Sequence, residues 1–303
     1  MTGEAQPCGA RDVTMRRLEA HVRRLAGEIG ERNVFRPRAL HAAAEYIETE
    51  WRRQGYEVTS QSYDAYGVPC ANLEATRPGR ARPDEVLLIG AHYDSISGGP
   101  GANDNASGVA ALLEVSRLFV NATPKITVRF VAFINEEPPF FMTPLQGSVV
   151  YAKAARSRGD DIRLMVALET IGCYRHQPKS QGYPPLFRLF YPGKGDFIGF
   201  VSDFRSRRVM RQAARIFRAR SNFPLEHTAT FRFIPGVAWS DHLPFWRRGY
   251  RAFMVTDTAF YRYPYYHTAE DTPEKLAYPE LARVTEGLFR TFSALAEEGA
   301  EGY

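Results

Sequence analysis

Two adjacent glutamates, Glu136 and Glu137, follow an apolar, β-prone run from Val128 to Asn135, and two prolines come directly after them. Carboxylates delivered by so apolar a segment are costly unless something positive meets them. Two more apolar runs end in the same way. EVLLIGAHY (85–93) delivers His92, with Asp94 two positions on, and IRLMVALE (162–169) delivers Glu169. Asp104 in GANDNASG, Asp241 in WSDHLPFW and His267 in YYHTAEDTPEKL complete the candidates. Imidazole and carboxylate without thiolate suit zinc or another divalent first-row metal. Four or more carboxylates at one place cannot all stay ionised without cations, and two metal ions would resolve the repulsion. A pair of ions needs one bridging carboxylate and at least one further ligand each, and the set offers a bridge, two histidines and two further acids. Adjacent Cα atoms lie about 3.8 Å apart, and paired ions stand roughly 3.5–4 Å apart with water between them. One glutamate can therefore hold a metal while its neighbour reaches the water. Pro138 and Pro139 remove two backbone donors and end the strand, fixing the pair in a turn.

The elements that must position these groups alternate along the chain. Apolar spacing predicts a helix over 12–30, with Leu18, Val22, Leu25 and Ile29 on one stripe. A second runs from Pro37 to Gln54, opened by proline and closed by Gly55. Strands follow at 56–63, 71–77 and 85–93, then a helix at 107–119, a strand at 125–134, a helix near 145–158 and a strand at 162–169. Strand LFRLFY (186–191), helix 207–220, strand 251–258 and helix 279–298 complete the series. Strands that are apolar throughout are buried on both faces. The expected fold is α/β: a three-layer α/β/α sandwich with a mixed, mostly parallel central sheet. No repeat, linker or low-complexity segment divides residues 1–303, so one catalytic domain is expected, with 1–30 as a peripheral N-terminal helix. In such sheets ligands gather at the carboxyl ends of the strands, where His92, the glutamate pair and Glu169 all fall.

Composition bounds the rest. The 303 residues are 44% hydrophobic, enough for a sizeable core, and carry a formal charge of +5. Of 39 basic residues 34 are arginine, read as scattered along the chain and solvated rather than gathered against an acidic partner. No nucleic-acid motif is present. No run of roughly 18 apolar residues would span a membrane, and the N-terminus lacks the apolar core of a signal peptide. The expectation is a cytoplasmic protein, or a secreted one if a leader is missing, without nucleic-acid or membrane partners and of open oligomeric state. Cys8, Cys70 and Cys173, with no CxxC, argue against a disulfide framework or a cysteine zinc site and read as reduced thiols.

Five stretches taken together, AHYDS (91–95), GANDNASGVAALLE (101–114), NEE (135–137), LETIG (168–172) and YYHT (265–268), resemble the bacterial two-zinc aminopeptidase family. These are leucyl-type aminopeptidases with glutamate carboxypeptidases and glutaminyl cyclases among their relatives. Each stretch alone is weak, but five in order and at compatible spacing, over roughly residues 30–295, are specific. The resemblance implies the zinc-exopeptidase version of the sandwich, a peptide substrate and two zinc ions per chain. His92 and Glu169 would hold one ion, Glu137 and His267 the other, and Asp104 would bridge them. Asp94 would fix the His92 tautomer, and the Asp104–Asn105 peptide would be cis. Glu136 would be the general base, taking a proton from water and passing it to the leaving amine. Tyr266 would hydrogen-bond the oxyanion.

The chain departs from that family in two places. The leucyl enzymes usually carry aspartate where this chain has Glu169, a choice of acid that tracks substrate class and leaves aminopeptidase specificity open. The stretch after Glu137 is longer, and Phe140, Phe141 and Met142 would either wall the site or pack as ordinary core. Asp241 is read as either a substrate-side acid or a structural one, and His21, His41, His176 and His227 as surface or packing residues. Two rival functions stand beside the exopeptidase. One is a single-zinc, glutaminyl-cyclase-like transferase. The other is a metal-free interaction module on the same fold, in which ligands should have been lost, whereas all five positions here remain metal-competent.

Overall fold

The structure, a computed structural model, describes residues 8–298. Eight strands form one sheet: β1 (Val58–Ala65), β2 (Val68–Arg77), β3 (Arg82–His92), β4 (Ile126–Phe133), β5 (Asp161–Glu169), β6 (Ile198–Ser202), β7 (Leu225–Ala229) and β8 (Ala252–Thr256). Their order is β1-β2-β4-β3-β5-β8-β6-β7. The four central strands β4, β3, β5 and β8 run parallel, the β1–β2, β2–β4 and β6–β8 pairs are antiparallel, and β7 closes one edge parallel to β6.

Among the described residues eight α-helices cover the sheet: α1 (Cys8–Val22), α2 (Pro37–Arg53), α3 (Gly108–Phe119), α4 (Gly147–Arg158), α5 (Arg207–Arg220), α6 (His242–Arg247), α7 (Ala259–Arg262) and α8 (Tyr278–Glu298). α1 runs on through a wider-wound segment to Ile29. α1, α2, α3, α5 and α8 pack with one another, and α4 packs with α6. The central strands alternate between two cores, as a period of two requires. Leu87, Ile89 and Ala91 join the larger core with Leu164 and Val166. Val86 and Leu88 join the smaller core with Met165 and Trp246. This double burial is why these strands read as unbroken apolar runs, and why the polar residues at their ends stand out.

The predicted sandwich, its mixed sheet and most of its elements are present. The exception is 186–191. It is no strand but a short turn over Phe187–Leu189, with Leu186, Leu189 and Phe190 exposed. Pro184, Pro185 and Pro192 bracket it and withhold the backbone donors a ladder needs. The short strands β6 and β7 carry too few residues for a clear period and were not foreseen. Cys70 and Cys173 are free and buried, whereas the Cys8 side chain lies outside what is described. Among the described residues, no helix is long and apolar enough to cross a membrane.

Candidate metal centre

The parallel register brings the ends of β3, β4, β5 and β8 to one side of the sheet. His92 pairs with Phe133, three residues before Glu136, and Glu169 pairs with Thr256. The loop leaving β3 carries Asp104, and the loop after α7 carries His267. Backbone strain clusters here. Asn135 before the glutamate pair, Thr170 after Glu169, and His267 itself adopt φ of 60°, 47° and 58°, a region costly for residues other than glycine.

Two trios of ligand-capable groups result: His92, Asp104 and Glu169, and Asp104, Glu137 and His267. In the first, His92 Nε2 lies 3.2 Å from Asp104 Oδ1 and 3.3 Å from Glu169 Oε2. In the second, His267 Nε2 lies 3.0 Å from Asp104 Oδ2 and 3.3 Å from Glu137 Oε2. Asp104 turns one oxygen to each trio. Ligand atoms about 2.0–2.1 Å from a tetrahedral zinc stand roughly 3.3–3.4 Å from each other, so these separations fit zinc. His92 Nε2 and Glu137 Oε1 are buried without a hydrogen-bond partner, which is costly unless a metal takes them up. Glu136 Oε2 is 3.9 Å from His92 Nε2 and belongs to neither trio.

Electrostatics agree with the geometry. Burial drives the Glu136 and Glu137 carboxyls well above the usual range, and the neighbouring acids add to it. Burial also raises Glu169, against the pull of His92. Burial alone would lower His92, but Glu169, Asp104 and Asp94 carry it well above its ordinary value. Four acids around two imidazoles are short of positive charge, which divalent cations supply.

The surroundings hold these groups in place. Asp94 accepts the backbone N–H groups of Glu136 and Glu137 at 3.1 and 3.0 Å, so it anchors the glutamate turn as well as standing 3.5 Å from His92 Nδ1. The Asp104–Asn105 peptide is cis. Asn105 Nδ2 donates to Leu168 O at 2.8 Å, and Asn105 Oδ1 accepts from Thr170 N at 3.1 Å, tying the Asp104 loop to the end of β5. The Tyr266 ring stacks on His267 with centroids 3.9 Å apart. Asp241 is buried beside the site with both oxygens unpartnered, and burial pushes its carboxyl up to about 7. Of the residues after Glu137, Phe140 is core and Met142 is exposed.

Three positioning residues carried no sequence signal. Ser240 Oγ donates to Glu169 Oε2 at 2.7 Å. Asp271 accepts the backbone N–H groups of Asn103 and Asp104 at 2.8 and 3.1 Å and the Tyr263 hydroxyl at 2.7 Å. Arg32, wholly buried, donates to the carbonyls of Tyr93 at 2.7 Å and Gly101 at 2.9 Å, and to that of Pro100. A loop residue that reaches the site only through tertiary packing has no local pattern to betray it. Beside Glu169 and Tyr266 opens a cavity walled chiefly by apolar side chains such as Phe187, Phe197, Trp239, Met254 and Phe260.

Residues 72–292 match the model of peptidase family M28. The chain is 39% identical over 293 residues to the uncharacterized protein YfbL of Escherichia coli K12, covering 94% of this chain and 89% of that one. It is 27% identical over 246 residues to leucine aminopeptidase 1 of Fusarium vanettenii, covering 74% of this chain but 57% of that protein, so it spans little more than half that relative's length. Its fold superposes on BSAP, a zinc aminopeptidase from Bacillus subtilis, with a TM-score of 0.74 over 94% of this chain and 96% of that one, at 13% identity. The chain is a metal-dependent peptidase by descent and belongs to peptidase family M28.

Proposed function

We propose that the chain is a two-zinc aminopeptidase that removes apolar N-terminal residues from peptides. The observation that carries this reading is the Asp104 carboxylate, with one oxygen 3.2 Å from His92 and the other 3.0 Å from His267. His92 and Glu169 would hold one ion, Glu137 and His267 the other, and Asp104 both. When bound, the ions supply Lewis-acid polarisation of the scissile carbonyl and make water a nucleophile at neutral pH.

The chain's own residues do the rest. Glu136, in neither trio and lifted by burial, accepts the proton of the attacking water and delivers it to the leaving amine. Tyr266 is half-buried, and desolvation, with the carboxylates nearby, raises its phenol well above the ordinary value, so it stays protonated and offers a donor to the developing oxyanion. Asp94 keeps Glu136 and Glu137 in register through their backbone N–H groups. The cavity beside Glu169 receives the N-terminal side chain, and its apolar walls favour Leu, Met or Phe over charged residues.

The test is hydrolysis of aminoacyl nitroanilides by the zinc-loaded chain, with Glu136→Gln alongside. Leucyl and phenylalanyl substrates should turn over and arginyl or glutamyl ones hardly at all. E136Q should keep its zinc and lose at least about a hundredfold in kcat, the scale of general-base catalysis. Loss of zinc from E136Q would show the two glutamates to be exchanged in role. A single ion, with cyclisation of an N-terminal glutamine peptide, would replace this reading by the transferase.

A further inference from the structure

The arginines are not scattered. α5 places Arg207, Arg208, Arg211, Arg215 and Arg218 along one exposed groove together with His227 of the edge strand β7. Among the described residues, no carboxylate pairs with Arg207, Arg208, Arg211 or Arg215. Elsewhere Arg17, Arg52, Arg117 and Arg129 each meet an acid.

Apolar side chains project beside this basic face. The 186–190 turn exposes Leu186, Leu189 and Phe190 by 73%, 75% and 79%, and the next loop along the rim exposes Phe233 by 81%. Both loops touch segments that flank α5. Tyr191 donates its hydroxyl to His227 O at 3.2 Å. Phe233 stacks on Phe231, which meets Phe204 just before the helix at 4.9 Å. Both loops also line the cavity beside Glu169, through Phe187 and Ile234. His227 lines both the basic groove and the cavity, so groove, apolar tips and cavity mouth adjoin.

We propose that this face docks on an anionic lipid bilayer, the α5 arginines against headgroups and the Leu186–Phe190 tip in the acyl boundary, with the cavity facing the membrane. Unpaired cations and inserting apolar side chains are the two signals that together give stable interfacial binding. The aliphatic Leu186 and Leu189 at the tip suit an acyl boundary and offer no face on which a nucleic-acid base would stack. The proposal is independent of the peptidase reading.

The test is co-sedimentation of the zinc-loaded full chain with vesicles of phosphatidylcholine alone or mixed with phosphatidylglycerol. Binding should require the anionic lipid and weaken with added salt. Arg211→Glu with Arg215→Glu should cut partition by roughly thirtyfold or more, at about fivefold per arginine removed. Leu189→Ser with Phe190→Ser should cut it roughly tenfold or more. Both double variants should melt like the parent and keep its circular-dichroism spectrum, so that misfolding is told apart from lost docking. No partition onto anionic vesicles would overturn the proposal. So would partition that either double variant leaves intact, or a concentration-dependent dimer abolished by L189S/F190S.

Discussion

Replacing Asp94 by Asn tests whether one carboxylate holds the catalytic turn. Asp94 is buried, and its two oxygens accept the backbone N–H groups of Glu136 and Glu137 at 3.1 and 3.0 Å. Asparagine has the same shape but one acceptor. Whichever way the amide turns, its NH₂ faces a backbone donor. One charge-assisted hydrogen bond, about 1.5–3 kcal/mol, is lost outright and the other weakens to a neutral one. The expected cost is about 2–4 kcal/mol, and at roughly 2 °C per kcal/mol for a chain of this length Tm falls by about 4–8 °C. Because Asp94 also stands 3.5 Å from His92 Nδ1, zinc affinity should fall about 10–100-fold. Thermal melts of apo and zinc-loaded protein, with a chelator competition, read both effects. An Asp94→Asn variant that melts within about 1 °C of the parent and holds zinc as tightly would refute the assignment.

Gly101 has φ +61°, and a Cβ there would lie 2.2 Å from Asp104 O, so Gly101→Ala should displace the bridging loop and release metal; zinc content of the purified variant checks this. Arg32→Met should destabilise by at least about 3 kcal/mol, because it orphans several buried carbonyls, and Lys should not rescue it in urea melts. Burial lowers His242 from 6.5 to about 4, so it is neutral in the folded chain while the unfolded chain gains a proton below 6.5. Its contribution is complete above that pH and is lost as pH falls toward 4, about 2 kcal/mol between pH 7 and 5. His242→Gln, which can keep the bond to Val237 O, should flatten this part of the pH–stability curve.

What the sequence made legible follows from burial. β3, β4 and β5 are apolar on both faces, so His92, Glu136, Glu137 and Glu169 at or just beyond their ends break an otherwise uniform pattern. Asp104 and His267 lie on loops and were found only as parts of recurring motifs. Ser240, Asp271 and Arg32 stayed hidden, because their partners are far away in sequence and exposed polar loops look the same as buried ones. LFRLFY looked like a strand because apolar composition cannot distinguish a sheet interior from an exposed tip. The prolines around it were the better guide. The arginines of α5 looked scattered in a count along the chain, yet their spacing at 207, 208, 211, 215 and 218 aligns them along one side of a helix.

The most direct test of the central claim is the number of zinc ions held by the purified chain and by its Asp104→Ala variant, measured by metal analysis after titration with zinc. One carboxylate shared between two trios predicts two tight ions in the parent and the loss of both in the variant. A parent that binds a single ion, or a variant that keeps two, would contradict it.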